Sequence, residues 1–337
     1  MPFTYDWERS EYPADTRSDF DLQERLGEAH WFDVNRGRGS ESREIDPAGC
    51  VPLAEELLEA RDLRPAEEWA PDNVFDPIGG ARPIGRVRPR MLRRFDGTPV
   101  EPAVFTQIYN GESRGLYRPD AAPWVRIGQI TTRTGRGSAA LIGRNTVITA
   151  AHVVSDSWSP GGPVVGSPTF TPAMFNGAST LGRSWVANIV GVAAWEQFVG
   201  QDGYDIAICQ LDQPMGEWLG YFGYRGYDDD WEDLAVWTHA GYPYDLSPNG
   251  DYPSVEYDIK VEDDDSDKYD TVELETKADI ASGQSGGPLW ARFRNGGRQI
   301  TGVLSGREDN FAEPKNSLFA GGNGLVSLAR WGRDNWG

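Results

Sequence analysis

Ser285 lies in the run Gly283-Gln284-Ser285-Gly286-Gly287, followed by Pro288, Leu289 and Trp290. A glycine-rich turn lets the backbone take conformations closed to other residues. Such a turn can aim one hydroxyl and nearby N–H groups at a single point, which is what acyl transfer requires. By itself the run fits an ordinary serine in a hairpin turn equally well. Chemistry needs a base and an acid from elsewhere in the chain.

The chain holds three histidines. His30 falls in an acidic N-terminal region, and His239 ends an apolar run before Ala240-Gly-Tyr-Pro243. His152 follows Thr146-Val-Ile-Thr149 and two alanines, at the end of a strand-like run. A histidine among apolar neighbours is ordinarily a satisfied core residue. A general base titrating near neutrality must, however, be held at the edge of a rigid element, and that context suits His152. For the acid, Asp205 opens Asp-Ile-Ala-Ile-Cys-Gln-Leu211, a run too apolar to be a solvated face. A carboxylate there is costly unless paired. The other reading is a strand cap after the turn at Asp202-Gly-Tyr204.

The elements that would position these groups are short strands. Alternating or apolar runs divided by Gly, Asn and Asp predict strands at Trp124–Thr132, Ser138–Gly143, Thr146–Thr149, Val186–Val192 and Asp205–Leu211. Further runs predict strands at Leu234–His239, Ser254–Lys260, Thr271–Thr276 and Gln299–Leu304. Many short strands at this spacing indicate an antiparallel sandwich or a pair of barrels. Helix-like patches occur near Asp21–Phe32 and Pro52–Ala60, with a short C-terminal helix near Gly324–Trp331.

With 337 residues the chain has room for two domains and a substantial core. A formal charge of -20 works against sequence-independent binding to nucleic acid or anionic membranes. No apolar run is long enough to cross a bilayer, and the first residues lack the basic patch and apolar core of a signal peptide. Cys50 and Cys209 do not form a disulfide framework, although a bridge between them would tie the N-terminal region to the rest. The alternative is two small buried hydrophobes. Few histidines and cysteines leave no zinc cluster. The acidic clusters Asp228–Asp230 and Glu262–Asp267 lack calcium-loop spacing and read as solvated turns.

The sharpest change in composition is residues 81–94, which hold six arginines and no acid. They read either as a basic strap lying on the acidic body or as an exposed linker cut during maturation.

The motifs Thr149-Ala-Ala-His152, Asp205-Ile-Ala207 and Gly283-Gln-Ser-Gly-Gly-Pro288 resemble, in that order, the three signature sites of the trypsin/chymotrypsin superfamily of serine endopeptidases. Gly-Gln-Ser, Gln213-Pro-Met-Gly, Leu219–Gly223, Ala240–Pro243 and the opening Asn110-Gly-Glu-Ser-Arg114 resemble the bacterial V8-like (glutamyl endopeptidase) branch. The resemblance covers roughly residues 105–335. It implies an all-β fold of two antiparallel six-stranded barrels with a short C-terminal helix and a partly helical N-terminal extension. Residues 1–94 would be that extension, a prosegment or regulatory region, and 95–337 the protease domain, with barrels at about 121–215 and about 232–320.

The resemblance also implies roles. Ser285 attacks the scissile carbonyl, His152 moves the proton, and Asp205 fixes the imidazole, with His152 and Asp205 on the first barrel and Ser285 on the second. The N–H groups of Gly283 and Ser285 form the oxyanion hole. Leu304, Ser305 and Gly306 begin the pocket wall, and Ser305 supports the acid. The expected partner is a polypeptide, with no cofactor. Two alternatives accompany this reading: a protease restricted to one partner by residues 1–94, or a catalytically silent binding protein on the same fold. The resemblance implies secretion, whereas a start without a signal peptide fits either a cytoplasmic protein or a chain that begins downstream of an export signal.

Departures bear on specificity and activation. Glutamyl endopeptidases carry a histidine where this chain has Leu304, so the residue that would select glutamate is missing. Asp279 falls where trypsin-type enzymes hold the acid that pairs with substrate Arg or Lys, and its other reading is a turn acid. Gln284 cannot form the ion pair with a freed N-terminal ammonium that activates chymotrypsin-type zymogens. Val153 replaces the half-cystine that often follows the catalytic histidine.

Overall fold

The computed structural model describes residues 51–52, 64–70, 82–85, 106–109, 111–158, 163–192, 203–246, 250–294, 296–308 and 316–337. His30, Cys50, the Asp21–Phe32 patch and most of the Pro52–Ala60 patch lie outside them.

The first barrel consists of β1 (Ile127–Thr131), β2 (Arg136–Leu141), β3 (Thr146–Thr149), β4 (Thr169–Pro172), β5 (Ser184–Gly191) and β6 (Ala207–Leu211). The order β5-β6-β3-β2-β1-β4 is antiparallel throughout, and β4 pairs back onto β5, which closes the ring. Ile130, Leu141, Val147, Phe170, Ile189 and Cys209 fill it. Cys209 is thus a core residue of β6.

The second barrel comprises β7 (Trp237–Gly241), β8 (Ser254–Ile259), β9 (Val261–Asp267), β10 (Thr271–Thr276), β11 (Pro288–Phe293), β12 (Gly297–Arg307) and β13 (Ser317–Gly322). Pairing runs β9-β10-β13-β12-β11-β7-β8. Only Lys260 separates β8 from β9, so the chain itself joins the two ends of this path. The core holds Trp237, Leu274, Leu289, Phe293, Leu304 and Phe319. The double-barrel expectation therefore holds.

Four of the barrel strands escaped the sequence reading: β4, β9, β11 and β13. Pro172 ends β4 and Pro288 opens β11. Both prolines look like breakers, yet a strand end need not supply a ladder donor. The acidic run expected as a turn is instead β9, paired with β10 from Val261↔Thr276 to Asp267↔Thr271. Ladder pairing with β10 overrides the poor strand propensity of its aspartates.

Short helices follow β3 (α1, Ala151–Val154) and precede the second barrel (α2, Met215–Leu219). The C-terminal helix α3 spans Asn323–Trp336, longer than predicted. It buries Leu325, Val326, Leu328 and Ala329, and its Arg333 Nη2 donates to Phe222 O at 2.6 Å.

Parts of the N-terminal region belong to this body. Arg82–Gly85 pairs with Gly115–Arg118, which in turn pairs with β8, and Val51–Pro52 runs parallel to the end of β5. Residues 64–70 lie along the connection between the barrels, with Ala66 bridged to Tyr224 and Trp69 bridged to, and stacked on, Tyr221. Glu68 pairs with both Arg126 and Arg298. Those two guanidinium side chains are only 1% and 4% exposed. Without Glu68 two buried cations would lose their carboxylate, so this stretch is built into the body rather than laid on it.

Candidate active site

His152 sits in α1, whose preceding residue, Ala150, has no side-chain oxygen to cap it. The orphan N–H groups of a helix start need acceptors. Asp205 supplies them from 53 residues away: its backbone O accepts from Ala151 N at 3.3 Å, and its Oδ1 accepts from His152 N at 2.8 Å. Its Oδ2 lies 2.6 Å from His152 Nδ1 and accepts from Ser305 Oγ at 2.7 Å. Asp205 is 1% exposed, while the His152 side chain is 41% exposed. The pair is therefore buried on the acid side and open on the base side. Burial pulls the imidazole pKa down, but the charge and hydrogen bond of Asp205 outweigh it and hold the ring above its usual 6.5.

Ser285 is carried by a turn wedged against this group. Gly283 and Gly286 adopt φ of +94° and +81°, a region that favours glycine. A methyl group on Gly286 would lie 2.1 Å from Thr149 Oγ1 and 2.3 Å from Ser138 O. The turn thus touches the strand end that leads into His152. Ser138, on β2 of the first barrel, fastens it: Ser138 N donates to Ser285 O at 2.7 Å and Ser138 Oγ to Gly283 O at 2.8 Å. From the other side, Gly286 N donates to Leu304 O at 2.8 Å and Leu304 N to Gly287 O at 2.9 Å. Gln284 N and Gly287 N also donate within the turn. Among the described residues, the N–H groups of Gly283 and Ser285 donate to no protein acceptor.

The expected pocket residues separate. Ser305 reaches Asp205, whereas Leu304 joins the apolar core with Leu274, Leu289 and Phe319, and Gly306 is buried in β12. Asp279 is fully buried, and both its oxygens are taken: Oδ1 accepts from Tyr109 N at 2.7 Å, while Oδ2 accepts from Ser113 N at 2.6 Å and from Ser113 Oγ. Asp279 is thus buried and bonded to the segment that carries Tyr109 and Ser113. His239 is a core residue, its Nδ1 donating to Pro288 O at 3.1 Å; burial drives its pKa down to about 4.

Sequence reasoning missed Ser138, which looks like any strand serine. It also missed the partner of Gln284, whose Oε1 accepts from Arg114 Nη1 at 2.7 Å. Glu256 went unremarked too, although it shares Ser113 with Asp279. Long-range pairs of this kind leave no local signal.

Two barrels, one of six strands and one of seven, with a buried aspartate bonded to a half-exposed histidine on the first and a glycine-bounded serine turn on the second, define the chymotrypsin-like class of double-barrel proteins. The chain belongs to the trypsin family, whose model matches residues 116–322. A glutamyl endopeptidase from Bacillus licheniformis is 27% identical over 170 residues, covering 50% of each chain. The chain thus spans about half the length of this curated relative. A Glu endopeptidase solved in complex with MPD aligns with a TM-score of 0.54 at 19% identity, over 68% of this chain and 100% of its own. A thermostable serine protease from an extremophilic microorganism gives a TM-score of 0.46 at 20% identity, over 63% and 98%.

Proposed function

We propose that this chain is a serine endopeptidase that cuts peptide bonds through an acyl-enzyme on Ser285. The observation that carries this reading is the hydrogen-bonded chain Ser305–Asp205–His152, set beside a turn with two unused N–H groups. His152 Nε2 takes the hydroxyl proton as Ser285 Oγ bonds to the scissile carbonyl carbon, and the carbonyl π pair moves onto oxygen. The N–H groups of Gly283 and Ser285 receive that oxyanion. Collapse breaks the C–N bond, and the imidazolium returns its proton to the leaving amine. Water then repeats the sequence on the ester, releasing the acid and restoring Ser285. Asp205 holds Nδ1 as the proton-bearing nitrogen and offsets the imidazolium charge.

On specificity, the curated relative is a glutamyl endopeptidase, but Leu304 offers no cationic group to a glutamate side chain. The engaged Asp279 equally argues against selection of Arg or Lys. We place the choice of residue before the cut on the pocket's shape rather than on a charge at either position.

The test is labelling of the full chain by a fluorophosphonate, with Ser285→Ala as control, together with cleavage of a mixed peptide library. Stoichiometric labelling that the control abolishes is expected. An unlabelled parent chain overturns the proposal, and cuts confined to sites after Arg or Lys overturn the specificity.

A further inference from the structure

Gln284 lies between the two residues whose N–H groups are unused, and it is 1% exposed. Its Oε1 accepts twice, from Ala281 N at 2.9 Å and from Arg114 Nη1 at 2.7 Å. Arg114 is itself buried, and each of its five N–H donors has an acceptor. Nε and Nη2 reach Glu112 Oε1 and Oε2, both at 2.8 Å. Nη2 and Nη1 reach Asp245 Oδ2 and Oδ1 at 2.6 and 3.2 Å, which leaves the second Nη1 proton for Gln284. A planar fork saturated in this way has no rotational freedom.

The stretch around Arg114 is bound to the same region at other points. Thr106 and Gln107 pair with Ala281 and Ile280, and Asp279 accepts from Tyr109 N and Ser113 N. Residues 106–109 and 111–114 therefore bond to Asp279–Gln284 at several points. Of those contacts, the one between Arg114 and Gln284 lies nearest to the turn's free N–H groups in sequence.

We infer that Arg114 is a positioning residue: its guanidinium, fixed by Glu112 and Asp245, holds Gln284 and so aims the N–H groups of Gly283 and Ser285 at the developing oxyanion. This rests on the acyl-transfer reading above. The Gln284 backbone is restrained as well, its N donating to Ala281 O at 3.1 Å and its O accepting from Gly287 N at 2.8 Å, so the residue is held through both side chain and main chain. Pinning the side chain helps fix the two peptides that flank Gln284, and the one between Gln284 and Ser285 carries the Ser285 N–H. An internal cation thereby sets the turn, so the turn forms without a newly released chain terminus.

The full chain carrying Gln284→Met, Gln284→Glu or Arg114→Lys is assayed for kcat, KM, rate of fluorophosphonate labelling and melting temperature. Methionine keeps the size of Gln284 but removes the acceptor, and leaves Arg114 its four carboxylate bonds. Partial loss of an oxyanion donor's alignment should lower kcat and the labelling rate about 10- to 100-fold, with KM moved less than about threefold. Arg114→Lys should follow the same pattern, since an ammonium lacks the fork. Gln284→Glu retains an acceptor for Arg114 and should label at least about tenfold faster than the methionine variant. Parent-like kcat in a folded Gln284→Met overturns the inference, as does a change confined to KM or one that tracks melting temperature alone. If Arg114→Lys does not fold, the two Gln284 variants decide. A parent chain that resists labelling defeats the acyl-transfer reading and the inference together, whereas a labelled parent with equally reactive variants defeats only the inference.

Discussion

Ser305 Oγ, on β12 of the second barrel, donates a 2.7 Å hydrogen bond to Asp205 Oδ2, beside the first barrel's last strand. The same oxygen faces His152 Nδ1 at 2.6 Å, so one carboxylate oxygen joins the two barrels and orients the imidazole at once. Relative displacement of the barrels would break this bond before it disturbed either core. The bond is therefore a direct reporter of how the cleft is assembled.

The pH dependence of catalysis follows from the His152–Asp205 pair. His152 must be neutral to accept the serine proton, and Asp205 holds its pKa above 6.5 against the opposing effect of burial. The acid limb of kcat/KM should accordingly have its midpoint above 6.5. Asp205→Asn removes the attraction; it should move that midpoint down and lower kcat about 10⁴-fold. A pH–rate profile of both proteins checks this, and a parent midpoint below the ordinary histidine value contradicts it. For stability the sign is opposite to that of activity. A raised folded pKa contributes stability at pH below the unfolded value, and the contribution fades as pH rises through the folded one.

Glu256 gives a second pH signature, independent of catalysis. Burial raises its pKa to about 8, partly offset by hydrogen bonding to Ser113 and reinforced by the nearby charge of Asp279. Ser113 Oγ lies 2.6 Å from Glu256 Oε1 and within hydrogen-bond reach of Asp279 Oδ2, and its single proton serves one carboxyl group at a time, so a proton on Glu256 relieves the pair. The folded state then binds more protons than the unfolded chain between the usual 4.5 and about 8, and stability falls as pH rises across that window. The parent's melting temperature should drop by several degrees over this range, and Glu256→Gln should flatten the drop. Calorimetry across the range decides, and parallel curves for the two proteins refute the assignment.

Glu68 is expected to be worth far more than a surface ion pair. Glu68→Ala leaves Arg126 and Arg298 buried without their shared carboxylate, which should cost about 3–5 kcal/mol. Urea denaturation measures the loss. Residues 95–337 alone lack the same group and should show a comparable loss. Equal stability of this fragment and the full chain would disprove the structural role of residues 64–70.

Ser138 should matter to both folding and rate. Its hydroxyl donates to Gly283 O and accepts from Tyr242 N at 2.9 Å, so Ser138→Ala strands two buried backbone groups. A loss of about 1–3 kcal/mol is expected by denaturation, with slower fluorophosphonate labelling at temperatures where the variant is fully folded. Unchanged labelling would mean that the turn is held without Ser138.

Part of this was legible in the chain. His152, Asp205 and Ser285 stood out because each sits in a locally unusual setting: a histidine after small residues, an acid opening an apolar strand, a serine between glycines. The pair of barrels could be anticipated from strand spacing, while β4 and β11 were hidden by their prolines and β9 by its aspartates. Asp279 shows the limit. Its position suggested a pocket carboxylate, and nothing near it in the chain announces its bonds to Tyr109 and Ser113, 170 and 166 residues away.

The sequence by itself determined the chemistry on offer, because residue type sets which side chain can attack, accept a proton or carry charge, and local spacing sets strand and turn. Only the tertiary structure decided which partners each group has. Arg114 with Gln284, Glu68 with two buried arginines, and Ser138 across the barrels are contacts between distant segments. Their geometry exists only after both barrels have closed, since hydrogen bonds depend on distances of a few tenths of an ångström that no linear pattern encodes.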